Sequence, residues 1–163
     1  MKFEVLRPKW HDRAKFDCGV ESLNLYLKRF AGQDQKRHLN KLYVLADNKK
    51  IIGYYSLSSH SVPRDNLPQN LQLGGYGELP FLLLGRLAVD QSFQGQGYGD
   101  ALIVHAFSTT VVAAQYIGVL GMIVDAKNDS AASFYEGFGF VRLQNSPKRL
   151  VISFKEIQAW LAN

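Results

Sequence analysis

The chain has 163 residues, of which 47% are apolar and 20% are charged, and its net charge is +5. This balance predicts one globular domain over residues 1–163, and the lone Cys18, expected to be a small buried thiol, excludes a disulfide-stapled fold. No stretch approaches the roughly 18 apolar residues that cross a bilayer, and the N-terminus lacks a signal-peptide apolar region, so we expect a cytoplasmic protein with no membrane partner.

The positive charge is concentrated at the start of the chain. Residues 1–41 contain ten Lys and Arg against five acids, whereas residues 42–163 contain nine of each. The whole excess therefore lies in the first quarter, which suggests a local basic face of the kind that attracts phosphate backbones. A solvated helical surface is the alternative explanation, and charge alone favours it.

The first elements are predicted from alternation and helical spacing. Lys2–Arg7 alternates in the manner of a strand. An amphipathic helix follows, which Gly32 is expected to interrupt before a short basic helix or helix-like loop over Gln33–Asn40. The apolar stripe of that helix consists of Leu23, Tyr26, Leu27, Phe30 and Ala31.

The middle of the chain alternates strands with less regular segments. Leu42–Ala46 and Ile51–Leu57 are joined by a polar turn, which favours a hairpin. Ser58–Pro80 shows no sustained period and is predicted to be a functional or mobile loop. The apolar run Leu82–Asp90 is predicted as the central strand, followed by a helix that ends at about Tyr116.

The last third predicts a strand, a short helix and a final pair of strands. Gly118–Val124 is the strand that completes a right-handed parallel crossover with the central strand. Asp129 or Ser130 is expected to cap a short helix over Ala131–Glu136. Phe138–Val141 then pairs with a strand at Leu150–Phe154, before a terminal helical turn that starts near residue 157.

Three glycines at alternate positions follow the central strand: Gly95, Gly97 and Gly99. They leave backbone N–H groups uncovered where a helix N-terminus adds its own free donors, an arrangement suited to a pyrophosphate. The glycine pattern alone also occurs in ordinary tight turns. The absence of Gly-Lys-Ser/Thr makes a P-loop nucleotide triphosphatase a poor match, and the dinucleotide pattern Gly-x-Gly-x-x-Gly is not matched.

Two motifs in sequence order resemble those of the GNAT N-acetyltransferases. Gln94-x-x-Gly97-x-Gly99 resembles their pyrophosphate loop, and Asn128-x-x-Ala131-x-x-Phe134-Tyr135 resembles their second cofactor motif. The resemblance extends from Phe3 to about Phe154. It implies the GNAT fold, an α/β (α+β) single domain with a mixed central β-sheet flanked by helices. It also implies acetyl-CoA as the cofactor and no metal.

The same resemblance implies the residues of the cofactor site. Strand backbone pairs with the pantetheine arm, loop amides hold the pyrophosphate, and two residues of the second motif contact the cofactor further along. The implied residues are Leu87, Ala88, Val89, Gln94, Gly95, Gln96, Gly97, Tyr98, Gly99, Asp100, Asn128 and Phe134. Tyr135 stands at the family's tyrosine position and is implied as the general acid to the leaving sulfur, with a packed aromatic whose hydroxyl is satisfied as the alternative.

A general base is not evident from the sequence. Glu78 is the nearest candidate before the central strand, and it is equally well explained as a surface acid. An amine whose pKa is near neutrality, such as the α-amine of an aminoacyl ester, would need little help. The four histidines lack metal-ligand spacing and are expected to be structural or exposed: His11, His38, His60 and His105.

Further segments resemble the TacT-like toxins of bacterial toxin-antitoxin pairs: Phe16-Asp17-Cys18-Gly19, Leu84–Asp90 and Val124–Lys127. That resemblance implies acetylation of the α-amine of aminoacyl-tRNA, a block of translation, a ribbon-helix-helix antitoxin as partner, and a homodimer. Candidate contacts to the tRNA are Lys28, Arg29, Lys36 and Arg37, with Arg86 at the acceptor end. Two alternatives stay open: an acetyltransferase for a small amine or a peptide N-terminus, and a non-catalytic acyl-CoA-binding module.

Overall fold

Seven strands form one mixed sheet in the computed structural model, which describes all residues from Met1 to Asn163. The strands are β1 (Lys2–Val5), β2 (Lys41–Asp47), β3 (Lys50–Pro63), β4 (Glu78–Val89), β5 (Gly121–Asp125), β6 (Val141–Arg142) and β7 (Arg149–Ser153). Their order in the sheet is β1-β2-β3-β4-β5-β7-β6. The pair β4 and β5 is parallel, whereas β1 with β2, β2 with β3, β5 with β7, and β6 with β7 are antiparallel. The predicted hairpin, the parallel crossover and the final strand pair are therefore confirmed.

The helices are α1 (Glu21–Leu25), α2 (Ala31–Lys36), α3 (Tyr98–Ala113), α4 (Asp129–Glu136) and α5 (Phe154–Ala162). A π-helical turn over Tyr26–Phe30 joins α1 to α2, and short 3-10 turns lie at Arg64–Asn66, Gln69–Leu71 and Gln91–Phe93. No helix combines the length and the apolar character needed to cross a membrane. The fold class, a mixed sheet flanked by helices, is confirmed.

The chain forms two compact units. The first contains residues 1–58 and 85–106, and the second contains residues 59–84 and 107–163. Strands β3 and β4 contribute residues to both. One folding domain over residues 1–163 stays a prediction.

In the first unit, the helical segment differs from its prediction in two places. The helix does not break at Gly32, where an added Cβ would lie 3.2 Å from Cγ of Pro8, so glycine permits close packing on the segment after β1. Phe30, predicted on the apolar stripe, is 49% exposed, whereas Leu27 and Ala31 are fully buried. A π turn contains more residues than an α turn, so the side chains after Tyr26 are rotated around the helix axis.

In the second unit, the predicted loop Ser58–Pro80 is shorter than expected. Strand β3 continues to Pro63 and β4 begins at Glu78, which leaves an irregular segment over residues 64–77. The difference has a packing reason, because apolar side chains from this region belong to a buried cluster that also contains Phe81 and Ile123. These side chains are Val62, Leu67, Leu71 and Leu79.

The C-terminal elements also differ from their predicted bounds. The N-cap of α4 is Asn128 rather than Asp129 or Ser130, because its Oδ1 accepts a hydrogen bond from the N–H of Ala131 at 2.9 Å. The predicted strand at Phe138–Val141 begins only at Val141. The terminal helical turn is a full helix, α5, capped by the hydroxyl of Ser153.

Candidate active site

The glycine loop presents an uninterrupted row of free backbone donors. Six consecutive N–H groups, from Gly95 to Asp100, donate to no acceptor in the structure, because the first hydrogen bond of α3 runs from the N–H of Ala101 to the carbonyl of Gly97. Gly95 and Gly97 have φ of 76° and 87°, values that L side chains rarely adopt. The row ends at the N-terminus of α3, where the helix dipole adds positive potential. The arrangement fits a pyrophosphate.

A turn from the start of the chain supports this loop. The amide nitrogen of Gln94 donates to the carbonyls of Val89, at 2.8 Å, and Cys18, at 2.9 Å. The N–H of Gln91 donates to the carbonyl of Asp17 at 2.8 Å. The Gln94 side chain therefore joins the end of β4 to the turn around Cys18. This turn lies in the segment Phe16-Asp17-Cys18-Gly19, whose sequence resembles that of the TacT-like toxins.

Hydrogen bonds also set the shape of that turn. The Asp17 carboxylate accepts from the N–H of Gly19 and from the Asn24 amide, both at 2.9 Å, and these two bonds lower the pKa of Asp17. Gly19 has φ of 87°, and an added Cβ would lie 2.6 Å from Nε2 of Gln91. The positive φ therefore favours glycine at this position, whereas the flexible end of the Gln91 side chain can move away from an added Cβ.

Arg86, on β4, lines an open cavity of about 480 Å³ beside the π turn. Its guanidinium carbon lies 3.5 Å from the ring centroid of Tyr26, within cation–π distance. The Tyr26 hydroxyl donates to Oδ2 of Asp34 at 2.7 Å. Leu23, Leu25 and Phe30 supply apolar walls. The cavity therefore combines a cation, an anion and apolar surface.

In the second unit, α4 carries Tyr135 with its ring buried and its hydroxyl free of hydrogen-bond partners. Tyr135 is 8% exposed and packs edge-on against Phe134 and Phe140. Burial raises the pKa of Tyr135 to about 12, so the phenol stays protonated at neutral pH. The structure therefore holds a protonated phenol against aromatic neighbours, and its role as general acid stays a prediction.

The four predicted RNA-contacting cations on the helical segment are exposed, and none of them forms an ion pair: Lys28, Arg29, Lys36 and Arg37. Lys28 and Arg29 line a second surface cavity, of about 540 Å³, together with Arg13. Arg13 is held there by a hydrogen bond from its guanidinium to the carbonyl of Leu27 at 3.1 Å. This cavity therefore presents three cations beside a single acid, Asp12.

A scan against protein families matches residues 38–142 with the acetyltransferase (GNAT) domain. The match includes the glycine loop and α4. The chain belongs to the GNAT acetyltransferase family. It is an N-acetyltransferase by that membership, and the acyl-CoA-binding module without catalysis is set aside.

Relatives of this GNAT chain are similar over nearly their whole length. The tRNA-acetylating toxin of Mycobacterium tuberculosis is 31% identical over 93% of this chain and 92% of its own. The structure of AtaT complexed with acetyl-methionyl-tRNAfMet has a TM-score of 0.91, at 32% identity over 98% of each chain. A tyrosine-to-phenylalanine variant of AtaT, bound to the C-terminus of the antitoxin AtaR and acetyl-CoA, has a TM-score of 0.85, at 29% identity over 99% of this chain and 98% of its own.

Each unit of this GNAT enzyme carries its own group of predicted site residues. The first unit contains Leu87–Val89, Gln94–Asp100, Arg86 and the basic helix residues, whereas the second contains Asn128, Phe134 and Tyr135. Asn128 uses its Oδ1 to cap α4. The candidate base Glu78 is exposed at the first residue of β4, whereas Val89 is the last. No group of His, Cys, Asp and Glu could hold a metal.

The sequence analysis names neither Tyr26 nor Asp34 as candidate site residues, although both line the cavity with Arg86. Tyr26 was assigned to the apolar stripe, and it does pack in the core, at 6% exposure, while its ring also faces Arg86. In the sequence, the only indication of a contact between Tyr26 and Asp34 is that they lie eight residues apart on one predicted helical segment. Regular α-helical spacing predicts a different orientation of these two side chains around the helix axis, because it does not include the π turn.

Proposed function

We propose that this GNAT enzyme is an acetyl-CoA-dependent toxin that acetylates the α-amine of aminoacyl-tRNA and thereby blocks translation. The observation that carries the cofactor part is the row of six free N–H groups from Gly95 to Asp100. The acceptor part rests on the similarity to the tRNA-acetylating toxin and to AtaT, together with the unpaired basic residues of the helical segment. The α-amine of an aminoacyl ester has a pKa near neutrality, so much of it is neutral and able to attack at pH 7.

The cofactor roles follow from the backbone. Loop N–H groups of Gly95–Asp100 hold the pyrophosphate, and the backbone of Leu87–Val89 pairs with the pantetheine arm as an added strand would. Asn128 and Phe134 contact the cofactor further along. The parallel pairing of β4 with β5 covers only Leu82–Leu84 and Met122–Val124, which supports a free strand edge beyond Leu84.

Acetyl-CoA supplies the acetyl thioester in this reaction. A backbone N–H within Leu87–Val89 binds the carbonyl oxygen as negative charge develops on it. Tyr135 gives its proton to the leaving sulfur, so a thiol rather than a thiolate departs. The raised pKa of Tyr135, about 12, keeps that proton in place at neutral pH. Its unpartnered hydroxyl supports this role.

The remaining partners are inferred from the same relatives. Lys28, Arg29, Lys36 and Arg37 make salt-sensitive contacts to the tRNA backbone, and Arg86 faces the acceptor end. The antitoxin-bound AtaT structure supports an antitoxin partner, which we expect to be a ribbon-helix-helix protein. The active form is a homodimer in the cytoplasm.

The experiment is transfer of radiolabelled acetyl from acetyl-CoA to purified charged tRNA, with uncharged tRNA and Tyr135→Phe as controls. Label on charged tRNA alone, reduced at least about a hundredfold in the variant, is the expected result. Binding of acetyl-CoA to both proteins, measured by calorimetry, confirms that the variant is intact. Label on a small amine or a peptide N-terminus, with none on charged tRNA, would identify the other acceptor class and overturn the proposal.

A further inference from the structure

Two opposite charges without ion-pair partners line the cavity beside the π turn. The Arg86 guanidinium lies over the Tyr26 ring, and the Asp34 carboxylate accepts the Tyr26 hydroxyl. Neither Arg86 nor Asp34 forms a salt bridge in the structure. Unpaired charges in a cavity are suited to a ligand that carries the complementary groups.

The Tyr26 hydroxyl orients the Asp34 carboxylate. The amide nitrogen of Asn40 donates to this hydroxyl at 2.7 Å, so the only proton of the hydroxyl is directed to Oδ2 of Asp34. Burial raises the pKa of Tyr26, which keeps the hydroxyl a donor. The second oxygen of Asp34, Oδ1, accepts no hydrogen bond from the protein. A carboxylate is therefore held in one orientation with one oxygen left for a ligand.

Arg86 connects the cavity to the segment of β4 that is proposed to bind the acetyl donor. Arg86 immediately precedes Leu87–Val89, the segment to which the thioester carbonyl is assigned under the proposed function. The cavity walls also include a π turn, a feature frequent at functional sites. Tyr26 and Asp34 lie before residue 38, outside the part of the chain that matches the general acetyltransferase domain. They are therefore separate in sequence from the two cofactor motifs, which both lie within the matched part.

We infer that Asp34 is the general base of the transfer and that the cavity receives the aminoacyl group of the acceptor. This inference rests on the proposed function. A neutral α-amine donates one N–H to Oδ1 of Asp34, and its lone pair attacks the thioester carbon. The C–N bond forms and the C–S bond breaks. The proton released from nitrogen passes to Asp34 and then to solvent, while the sulfur receives its proton from Tyr135.

The charges and walls of the cavity favour an amine over an anion at Asp34. A carboxylate repels a phosphate, whereas it stabilises the positive charge that develops on nitrogen as the amine attacks. Leu23, Leu25 and Phe30 offer contact to an uncharged side chain on the acceptor. The guanidinium of Arg86 then faces the electron-rich ester end.

The kinetic test compares Asp34→Asn with the wild type on charged tRNA. Asparagine keeps the shape and can still accept the Tyr26 hydroxyl, but it cannot take a proton. We expect kcat to fall at least about a hundredfold, a loss that persists at saturating charged tRNA whatever the change in KM. Asp47→Asn, which removes the same charge at the exposed end of β2, is the matched control and should keep wild-type kcat. An unchanged kcat in Asp34→Asn overturns the inference.

A second measurement does not require turnover. A hydrolysis-resistant amide analogue of the charged tRNA end, 3′-aminoacylamino-3′-deoxyadenosine with an uncharged side chain, is titrated into each protein without acetyl-CoA, so that its free α-amine cannot be acetylated. We expect binding to the wild type and to Asp47→Asn, and at least about tenfold weaker binding to Asp34→Asn. Equal binding to both Asp variants, or no binding to the wild type, overturns the cavity assignment. Analogue binding without acetyl transfer to charged tRNA would instead contradict the proposed function alone.

Discussion

The carboxylate of Asp90 accepts a hydrogen bond from the backbone N–H of Asp17 at 3.1 Å, across 73 residues of chain. Its other oxygen accepts from the N–H of Ser92 at 2.9 Å, and Asp90 is only 8% exposed. One buried carboxylate therefore holds both the turn at Asp17 and the segment that leads into the glycine loop. The shape of the cofactor loop depends on a contact that no local pattern contains.

Replacement of this carboxylate tests that dependence. Asp90→Ala leaves two part-buried backbone donors without their acceptor, and we expect the free energy of unfolding to fall by about 1 to 3 kcal/mol. Acetyl-CoA should also bind more weakly, because the loop loses its support. Urea unfolding and calorimetric titration measure the two effects. Asp65→Ala, in an exposed 3-10 turn, is the control that should change neither, and wild-type values for Asp90→Ala would contradict the role.

The conformation of the glycine loop can be tested with a substitution that introduces no steric clash. An added Cβ at Gly97 meets nothing within 4 Å, yet φ there is 87°, so Gly97→Ala acts through the backbone alone. We expect a stability cost of about 1 kcal/mol and at least about tenfold weaker acetyl-CoA binding, because the free N–H groups are reoriented. Gly118→Ala is the matched control, since its Cβ also meets nothing and its φ is not positive. Equal binding by both variants would exclude a role for the loop conformation.

Tyr135 makes stability depend on alkaline pH. Its pKa is about 12 in the folded protein against an ordinary value of 10, so between these values the folded state retains a proton that the unfolded state loses. Stability from this group is complete below pH 10 and declines as pH rises through 12. We expect the wild type to have lost about 1 kcal/mol more than Tyr135→Phe by pH 11. Denaturant unfolding at pH 9, 10 and 11 measures the difference, and parallel curves for the two proteins would refute it.

The basic face should determine the salt dependence of tRNA binding. The double variant Lys28→Gln with Arg29→Gln removes two exposed cations, and the slope of log affinity against log salt should become shallower by about 1 to 2. Lys148→Gln with Lys155→Gln removes the same net charge from the other compact unit and serves as control. If both double variants change the slope equally, net charge rather than this face governs binding.

Several features could be predicted because their causes lie within a few residues. Gly95 and Gly97 adopt positive φ, as glycines in a phosphate loop must, and α3 begins within that loop at Tyr98. The cap of α4 was placed one or two residues late, since Asn128, Asp129 and Ser130 can all cap a helix by chemistry. Local propensity does not choose among them, whereas the path of the chain out of β5 does.

Other features depend on residues far apart. Gly32 was predicted as a helix break from its propensity, but contact with Pro8 makes it a packing residue inside a continuous helix. Phe30 was expected in the core, and the π turn places it at the cavity instead. Neither outcome follows from a periodic pattern that assumes one helical geometry throughout.

The sequence by itself determined the family of this protein and the order of its two GNAT motifs, because these depend on residue types at short spacings. Only the tertiary structure decided what surrounds Arg86. Tyr26, Asp34 and Arg86 come together through a wide helical turn and a strand 60 residues later in the chain than Tyr26. Such a grouping is fixed by packing between distant segments, whose free energy has no signature in any local stretch of sequence.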